Sequence, residues 1–328
     1  MKAKNNKENS NEGKKIGTVT SPSSILLLFT SLAVIVTTII PSAITTVWAD
    51  NFFGTSGPDT ISGTDDDDNI FGKEGNDDLS GEGGDDYIEG NEGNDEINDG
   101  TGSDNIWAGS GSDEIELEGP GEGEEEGVDE AHGGKGKDTI RNIGESGFRL
   151  IFGGDDDDTI TAGTGGGEFS EGRIYGGGGN DEISACCDVD FDVWGGSGND
   201  DIEGSSECAI SRAFGGSGND RISSPDDFTR GGSGNDIITF ADCGGVAYGD
   251  SGNDEIRGEE VSVELHGGSG NDKVIGGVED DKLFGGKGDD TLTGREGADS
   301  FDCGPGTDTI TDFDAGEGDT KTGDCENF

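Results

Sequence analysis

Basic residues are scarce in this chain. Twenty Lys and Arg face 74 Asp and Glu, a formal net charge of -54 over 328 residues. Such a surface is repelled by phosphate, which excludes nucleic acid and anionic membrane surfaces as partners. Hydrophobic residues make up only 27% and aromatics 6%, with a single Met, too little for the core of an ordinary globular domain of this length. Catalytic signatures are missing as well. There is no HExxH, no GxSxG and no Gly-rich loop followed by Lys-Ser/Thr, and no segment outside the repeats described below is long enough for a catalytic domain. What the chain has instead is 66 Gly and an excess of Asp, a composition suited to binding cations if the carboxylates are arranged to share them.

The first 49 residues differ from the rest. Lys2, Lys4, Lys7, Lys14 and Lys15 precede an apolar run from Ile25 to Ile40, and Val47-Trp48-Ala49 offers small residues at the two positions a signal peptidase reads. The segment reads as a secretory signal cleaved after Ala49. The alternative is an uncleaved anchor from Ile25 to Val47, against which Pro41 and several Ser and Thr count. In both cases the basic end stays inside and the remainder is exported, so the protein is expected to be secreted or held at the cell surface, with membrane contact only if the segment is retained. Beyond residue 49 the chain carries 15 basic and 72 acidic residues, a net charge of -57.

From Gly54 the sequence falls into blocks of nine, represented by Gly72-Lys73-Glu74-Gly75-Asn76-Asp77-Asp78-Leu79-Ser80. The sixth position is Asp59, Asp68, Asp77, Asp86, Asp95, Asp104 and Asp113, and the eighth is Ile61, Ile70, Leu79, Ile88, Ile97, Ile106 and Ile115. A Glu-rich break at Gly119–Glu130 reads as an extruded loop. The motif then returns at Asp138, Asp158, Asp181, Asp200, Asp220, Asp236, Asp254 and Asp272, at about two-block spacing. Each turn here is expected to hold one intact Gly-rich block and one degenerate block of variable length. The degenerate half continues the apolar column as Ala131, Ile151, Ile174, Val193, Ala213, Thr229, Ala247 and Leu265. Strict nine-residue spacing resumes through Asp272, Asp281, Asp290, Asp299 and Asp308.

The block carries its own folding instructions. Gly at the first and fourth positions is expected to supply the positive φ of a tight turn, and the residues around the eighth form a very short strand with one side chain inward. Two blocks then make one turn of a flattened right-handed coil, with thin parallel sheets facing across an Ile/Leu/Val core. No turn is stable alone, and each must stack on its neighbours. The fold class expected is all-β, a right-handed parallel β-roll or β-solenoid. Its segments are a signal or hydrophobic stretch over 1–49, loops on both edges over 50–118, an acidic insertion over 119–131, mostly one loop per turn over 132–302, and a C-terminal cap over 303–328.

Stacked turns lie about 4.8 Å apart, so Asp columns one turn apart repel unless a cation sits between them. Carboxylates and carbonyls with flexible coordination suit Ca²⁺ better than Mg²⁺. Pairing each sixth-position Asp with the one a full turn on gives at most 15 ions, or +30 against -57. Solvated acidic turns without metal are the competing reading. Because the sites exist only in the folded chain, metal binding is expected to be coupled to folding.

The blocks closely resemble the Gly-Gly-x-Gly-x-Asp-x-U-x nonapeptides of the RTX (repeats-in-toxin) calcium-binding β-roll family. The clearest copies are Gly195 to Glu203, Gly215 to Ser223, Gly267 to Ile275 and Gly285 to Thr293, and the resemblance extends over about residues 54–311. It implies that loop carbonyls and the sixth-position Asp of one block, with the equivalent groups one turn later, enclose each Ca²⁺. Departures occur at Asp66, Asp156 and Glu279, which replace the fourth-position Gly, and at Asp99, Ala108 and Cys303, which replace the first. Incomplete occupancy is expected at those turns.

Six Cys in an exported chain suggest disulfides. Cys303 and Cys325 bracket the non-repeating end and are expected to pin it as a cap over the open sheet edges. Cys187 and Cys208 lie in degenerate halves of adjacent turns and are expected to bridge, which leaves the state of Cys186 and Cys243 open. A metal-thiolate site lacks any CxxC spacing. Phe152, Tyr175, Trp194, Phe214 and Tyr248 each follow an inward position and are expected to form an outward column, either a stabilising ladder or a contact surface for cells or glycans. His132 and His266 fall in the same column and read as structural. The function that follows is an exported calcium-binding roll with a structural, adhesive or ion-buffering role. The alternative is an exported hydrolase or toxin-like protein with its active site in degenerate loops such as Gly119–Glu130.

Overall fold

Ile61 and Leu79, 18 residues apart in sequence, lie side by side in one sheet, while Ile70 and Ile88 do the same in a second sheet opposite. That offset of two blocks is the architecture. The computed structural model describes residues 19–20, 49–119, 128–144, 147–163, 170–186, 189–205, 210–223, 225–241, 243–322 and 324–325. Within them the protein is all-β, without a helix, a parallel β-solenoid of about 13 turns. Successive strands alternate between two 15-stranded sheets. Every pairing is parallel except that of Val19–Thr20 with Thr60 and Ile61. Residues 1–18 and 21–48 of the expected signal or anchor segment, Cys187 and Cys208, and residues 120–127 of the insertion lie outside the described residues.

The core is a stack of single side chains. Ile61, Leu79, Ile97, Ile115, Ile140, Ile160, Ile183 and Ile202 run along one sheet; Phe52, Ile70, Ile88, Ile106, Ala131, Ile151, Ile174 and Val193 run along the other, all buried. Thr229, the one hydroxyl in the expected apolar column, is buried in register with Ala213 and Ala247. Both sheets pass through the insertion without a break, because Ile106 pairs with Ala131 and Ile115 with Ile140 across an offset of 25 residues. The register is kept across the extra length.

The fourth-position glycines behave as the sequence suggested, and the first-position ones do not. Positive φ falls at the second and fourth loop positions, as at Gly134 (φ 109) and Gly136 (φ 112), and not at the first. Lys73 (φ 85), Asp250 (φ 72) and Arg295 (φ 74) adopt it at the second position, and Asp156 (φ 78) adopts it at the fourth. First-position glycine is required by space instead. A Cβ on Gly133 would stand 2.5 Å from Oδ2 of Asp138 and 2.6 Å from the carbonyl oxygen of Gly153 one turn on.

At the C-terminal end, Cys303 and Cys325 form the expected disulfide across 22 residues. Thr320–Lys321 pairs with Ser300 and Phe301 as the last strand of its sheet, and Phe313 lies against Phe301. Cys243 is also disulfide-bonded, and the Cys186 thiol lies 2.7 Å from the carbonyl of Gly163.

Candidate calcium sites

Each six-residue loop runs from a first position, glycine in most loops, to a sixth-position Asp that opens the next strand. On the first edge, the edge that leads into the Ile61 sheet, these are Asp59, Asp77, Asp95, Asp113, Asp138, Asp158, Asp181, Asp200, Asp220, Asp236, Asp254, Asp272, Asp290 and Asp308, and all are buried. The structure joins them into one ladder. The amide of each Asp donates to Oδ1 of the Asp one turn on, at 2.8 to 3.0 Å, from Asp59 to Asp308. The ladder crosses the insertion through Asp113 and Asp138, a join that sequence spacing did not reveal because the period there is 25.

On the second edge the column is interrupted. Asp68, Asp86 and Asp104 follow the same rule (2.8 Å for each of the first two joins), and Asp281 with Asp299 repeats it near the end at 2.9 Å. Sequence reasoning missed Asp129, which takes the next rung after Asp104 (3.1 Å), because the insertion displaced it from its block. Beyond it, Arg149, Gly172 and Phe191 stand in register where Asp would continue. Phe191 is buried and its ring occupies the space beside Gly172, so these two turns fill the second edge with apolar matter.

Backbone amides satisfy only one oxygen of each carboxylate. Oδ2 of Asp77, Asp86, Asp95, Asp104, Asp113, Asp138, Asp158, Asp181, Asp200, Asp220, Asp236, Asp254, Asp272, Asp290 and Asp299 is buried without a hydrogen-bond partner. Where the loop begins with glycine, Oδ2 points into the space that this glycine keeps clear, as Asp138 does beside Gly133 and the carbonyl of Gly153. Asp68 and Asp281 depart from this: Oδ2 accepts the amide of Thr64 (2.7 Å) and of Gly277 (2.5 Å), respectively. Asp59 resembles them, with Oδ2 accepting from Thr55.

Buried anions stacked in a column are costly, and their titration reflects it. Burial, only partly offset by the backbone hydrogen bonds, lifts the carboxyls of Asp86 and Asp158 to about 8 and those of Asp95, Asp104, Asp200 and Asp254 to about 7. Neighbouring Asp in the ladder add to the rise. A cation beside Oδ2 reverses the balance, because it supplies the opposite charge that the ladder lacks. The donor set is oxygen only, carboxylate and carbonyl, which suits a hard ion of flexible coordination and fits Ca²⁺.

Outside the sites, two ladders stiffen the stack. Asn180, Asn199, Asn219, Asn235, Asn253 and Asn271 at the fifth position pass backbone amides to side-chain oxygens at 2.7 to 2.8 Å, a column that went unread in the sequence. The outward aromatic column is a stacked series through Trp107, His132, Phe152, Tyr175, Trp194 and Phe214, with ring centroids 3.8 to 5.4 Å apart. It resumes at Tyr248, His266 and Phe284. His132 and His266 are not isolated: each meets a glutamate two residues earlier, Glu130 and Glu264.

Fold and site together define a parallel β-solenoid whose loop edges form ladders of half-satisfied buried carboxylates. The chain belongs to the RTX calcium-binding nonapeptide repeat family, whose model matches residues 49–79, 80–115, 144–167, 173–185, 193–206, 248–283 and 275–310, more than half of its length. The loops Gly215–Asp220 and Gly231–Asp236 fall between matched stretches yet keep the same rungs. No curated protein matches the chain.

Proposed function

We propose that this is an exported protein that folds around calcium and serves a structural, adhesive or ion-buffering role at the cell exterior. The observation that carries the calcium reading is the first-edge ladder, in which every turn from Asp77 to Asp290 presents a buried Oδ2 with no partner. The residues that would hold the ions are the sixth-position Asp of both edges, with loop carbonyls of the adjoining turn. Calcium supplies positive charge between stacked carboxylates; the chain supplies the spacing, one amide per carboxylate and the room that first-position glycine leaves. Support for export comes from the basic and apolar order of residues 1–49 and from the low calcium inside cells, where the uncompensated chain stays expanded. The aromatic column turns its ring faces to one another, so it supports a stabilising role more than a sugar-binding one.

The test is far-UV circular dichroism of the protein in EDTA and after calcium is restored, with calorimetric titration of bound calcium. Loss of the β signal in EDTA, its recovery with calcium and the binding of many ions per chain are expected. An unchanged spectrum in EDTA with no heat of binding overturns the reading.

A further inference from the structure

The second-edge ladder ends in a group of charges that the repeat does not explain. Asp99 stands at the first loop position, where Gly63 and Gly81 precede it. Its side chain is fully buried; Oδ1 accepts the amide of Glu118 at 2.7 Å, and Oδ2 has no hydrogen-bond partner. Asp104 closes the same loop with its own Oδ2 buried and unpartnered. Asp129, brought onto the next rung by the 25-residue offset, is the third buried carboxylate, and one oxygen of each of the three lies within 4.8 Å of the others. Arg149 occupies the rung after that, fully buried, with Nη1 3.1 Å from Oδ2 of Asp129.

Charge decides what this arrangement needs. Three carboxylates against one guanidinium leave two negative charges in a site closed to water, which is the charge of one divalent cation. Ordinary rungs offer one carboxylate oxygen from a loop whose first residue has no side chain. Here the first residue adds a second carboxylate from the same loop, and a third comes from the turn above. Affinity in oxygen-ligand sites rises with ligand charge and rigidity, so this site should outbind its neighbours.

We propose that Asp99, Asp104 and Asp129 form a closed calcium site of three carboxylates, completed by the fixed positive charge of Arg149. This proposal rests on the calcium-binding reading of the roll and deepens it. The replacement of glycine by Asp99, which the repeat pattern alone marks as a damaged loop, becomes the feature that strengthens it. Arg149 also ends the ladder, because it places a cation where the next rung would need a carboxylate.

The test is calcium release from the full chain into a graded series of chelator buffers, with retained calcium counted by elemental analysis. Wild-type protein should keep one ion after the rest have left. Asp99→Asn preserves the acceptor for the Glu118 amide, and Asp99→Gly restores the residue of the loops before it; both should weaken that ion by about tenfold or more and leave the remaining release curve in place. Arg149→Gln should bind no additional ion. Release curves for both Asp99 variants that overlay the wild type overturn the site, as does an extra ion in Arg149→Gln, which would mean that the guanidinium stands in for metal. A wild-type chain that retains no calcium at any chelator level overturns the calcium reading itself along with the site.

Discussion

The amide of Asp200 donates to Oδ1 of Asp220, 20 residues later in sequence and one turn on in space, at 2.9 Å. Each turn thus fixes the carboxylate of the next, and the other oxygen is left for a cation. Asp200→Asn keeps the acceptor but removes the charge, so its effect should change sign with calcium. In saturating calcium the variant should bind fewer ions and lose ~2 to 3 kcal/mol, the scale set by a site at about a hundred times its Kd. In EDTA it should be more stable than wild type, because a buried charge has been removed. Thermal melts in calcium check the first half; in EDTA, a residual far-UV β signal larger than that of wild type checks the second.

Acidity should act in opposite directions on the two states. Burial raises Asp86 and Asp158 to about 8 in the metal-free roll, well above the ~3.9 of an unfolded aspartate. The folded state therefore binds more protons than the unfolded one between those values, and metal-free stability should increase as pH falls from about 8 towards 4. With calcium present, protons compete for the same oxygens, so affinity should fall over that range. The far-UV β signal in EDTA across the pH range, set beside calcium titrations, tests this; a metal-free chain whose β signal does not rise on acidification would contradict it.

Two glycine exchanges separate space from backbone strain. Gly267→Ala would place a Cβ 2.5 Å from the carbonyl oxygen of Gly285 and 2.6 Å from Oδ2 of Asp272, and should cost both stability and the calcium held there. Glu82→Gly, at a second position with φ 74, should relieve roughly 1 kcal/mol of left-handed strain. Denaturant midpoints in saturating calcium should move in opposite directions.

Tyr175 is stacked between Phe152 (4.9 Å) and Trp194 (4.6 Å). Tyr175→Ala should lower stability by ~1 kcal/mol or more from lost ring contacts, and the number of bound calcium ions should stay the same. A change in calcium count would tie the ladder to the sites in a way the geometry does not suggest.

Removal of the Cys303 to Cys325 bridge by the paired exchange Cys303→Ser and Cys325→Ser should cost about 3 kcal/mol on the chain-entropy scale for a loop of this length. Because each turn contacts only its neighbours, the loss should appear as faster amide exchange in the last turns, with the central turns unchanged.

The sequence by itself determined the period, and with it most of the fold. Asp at every sixth position and Ile or Leu at every eighth specify a turn, a short strand and an inward side chain, all local matters that nine residues can encode. The variable spacing of Asp138 to Asp272 was readable for the same reason, since the intact half of each turn carries the full motif. Tertiary structure decided what depends on the neighbouring turn. First-position glycine is set by the carbonyl stacked above it, and the positive φ expected there falls at the second position instead. Asp129 and Arg149 meet only because the register resumes 25 residues on, across the insertion. A linear period cannot carry that information, because the partner of each rung is chosen by stacking and not by spacing along the chain.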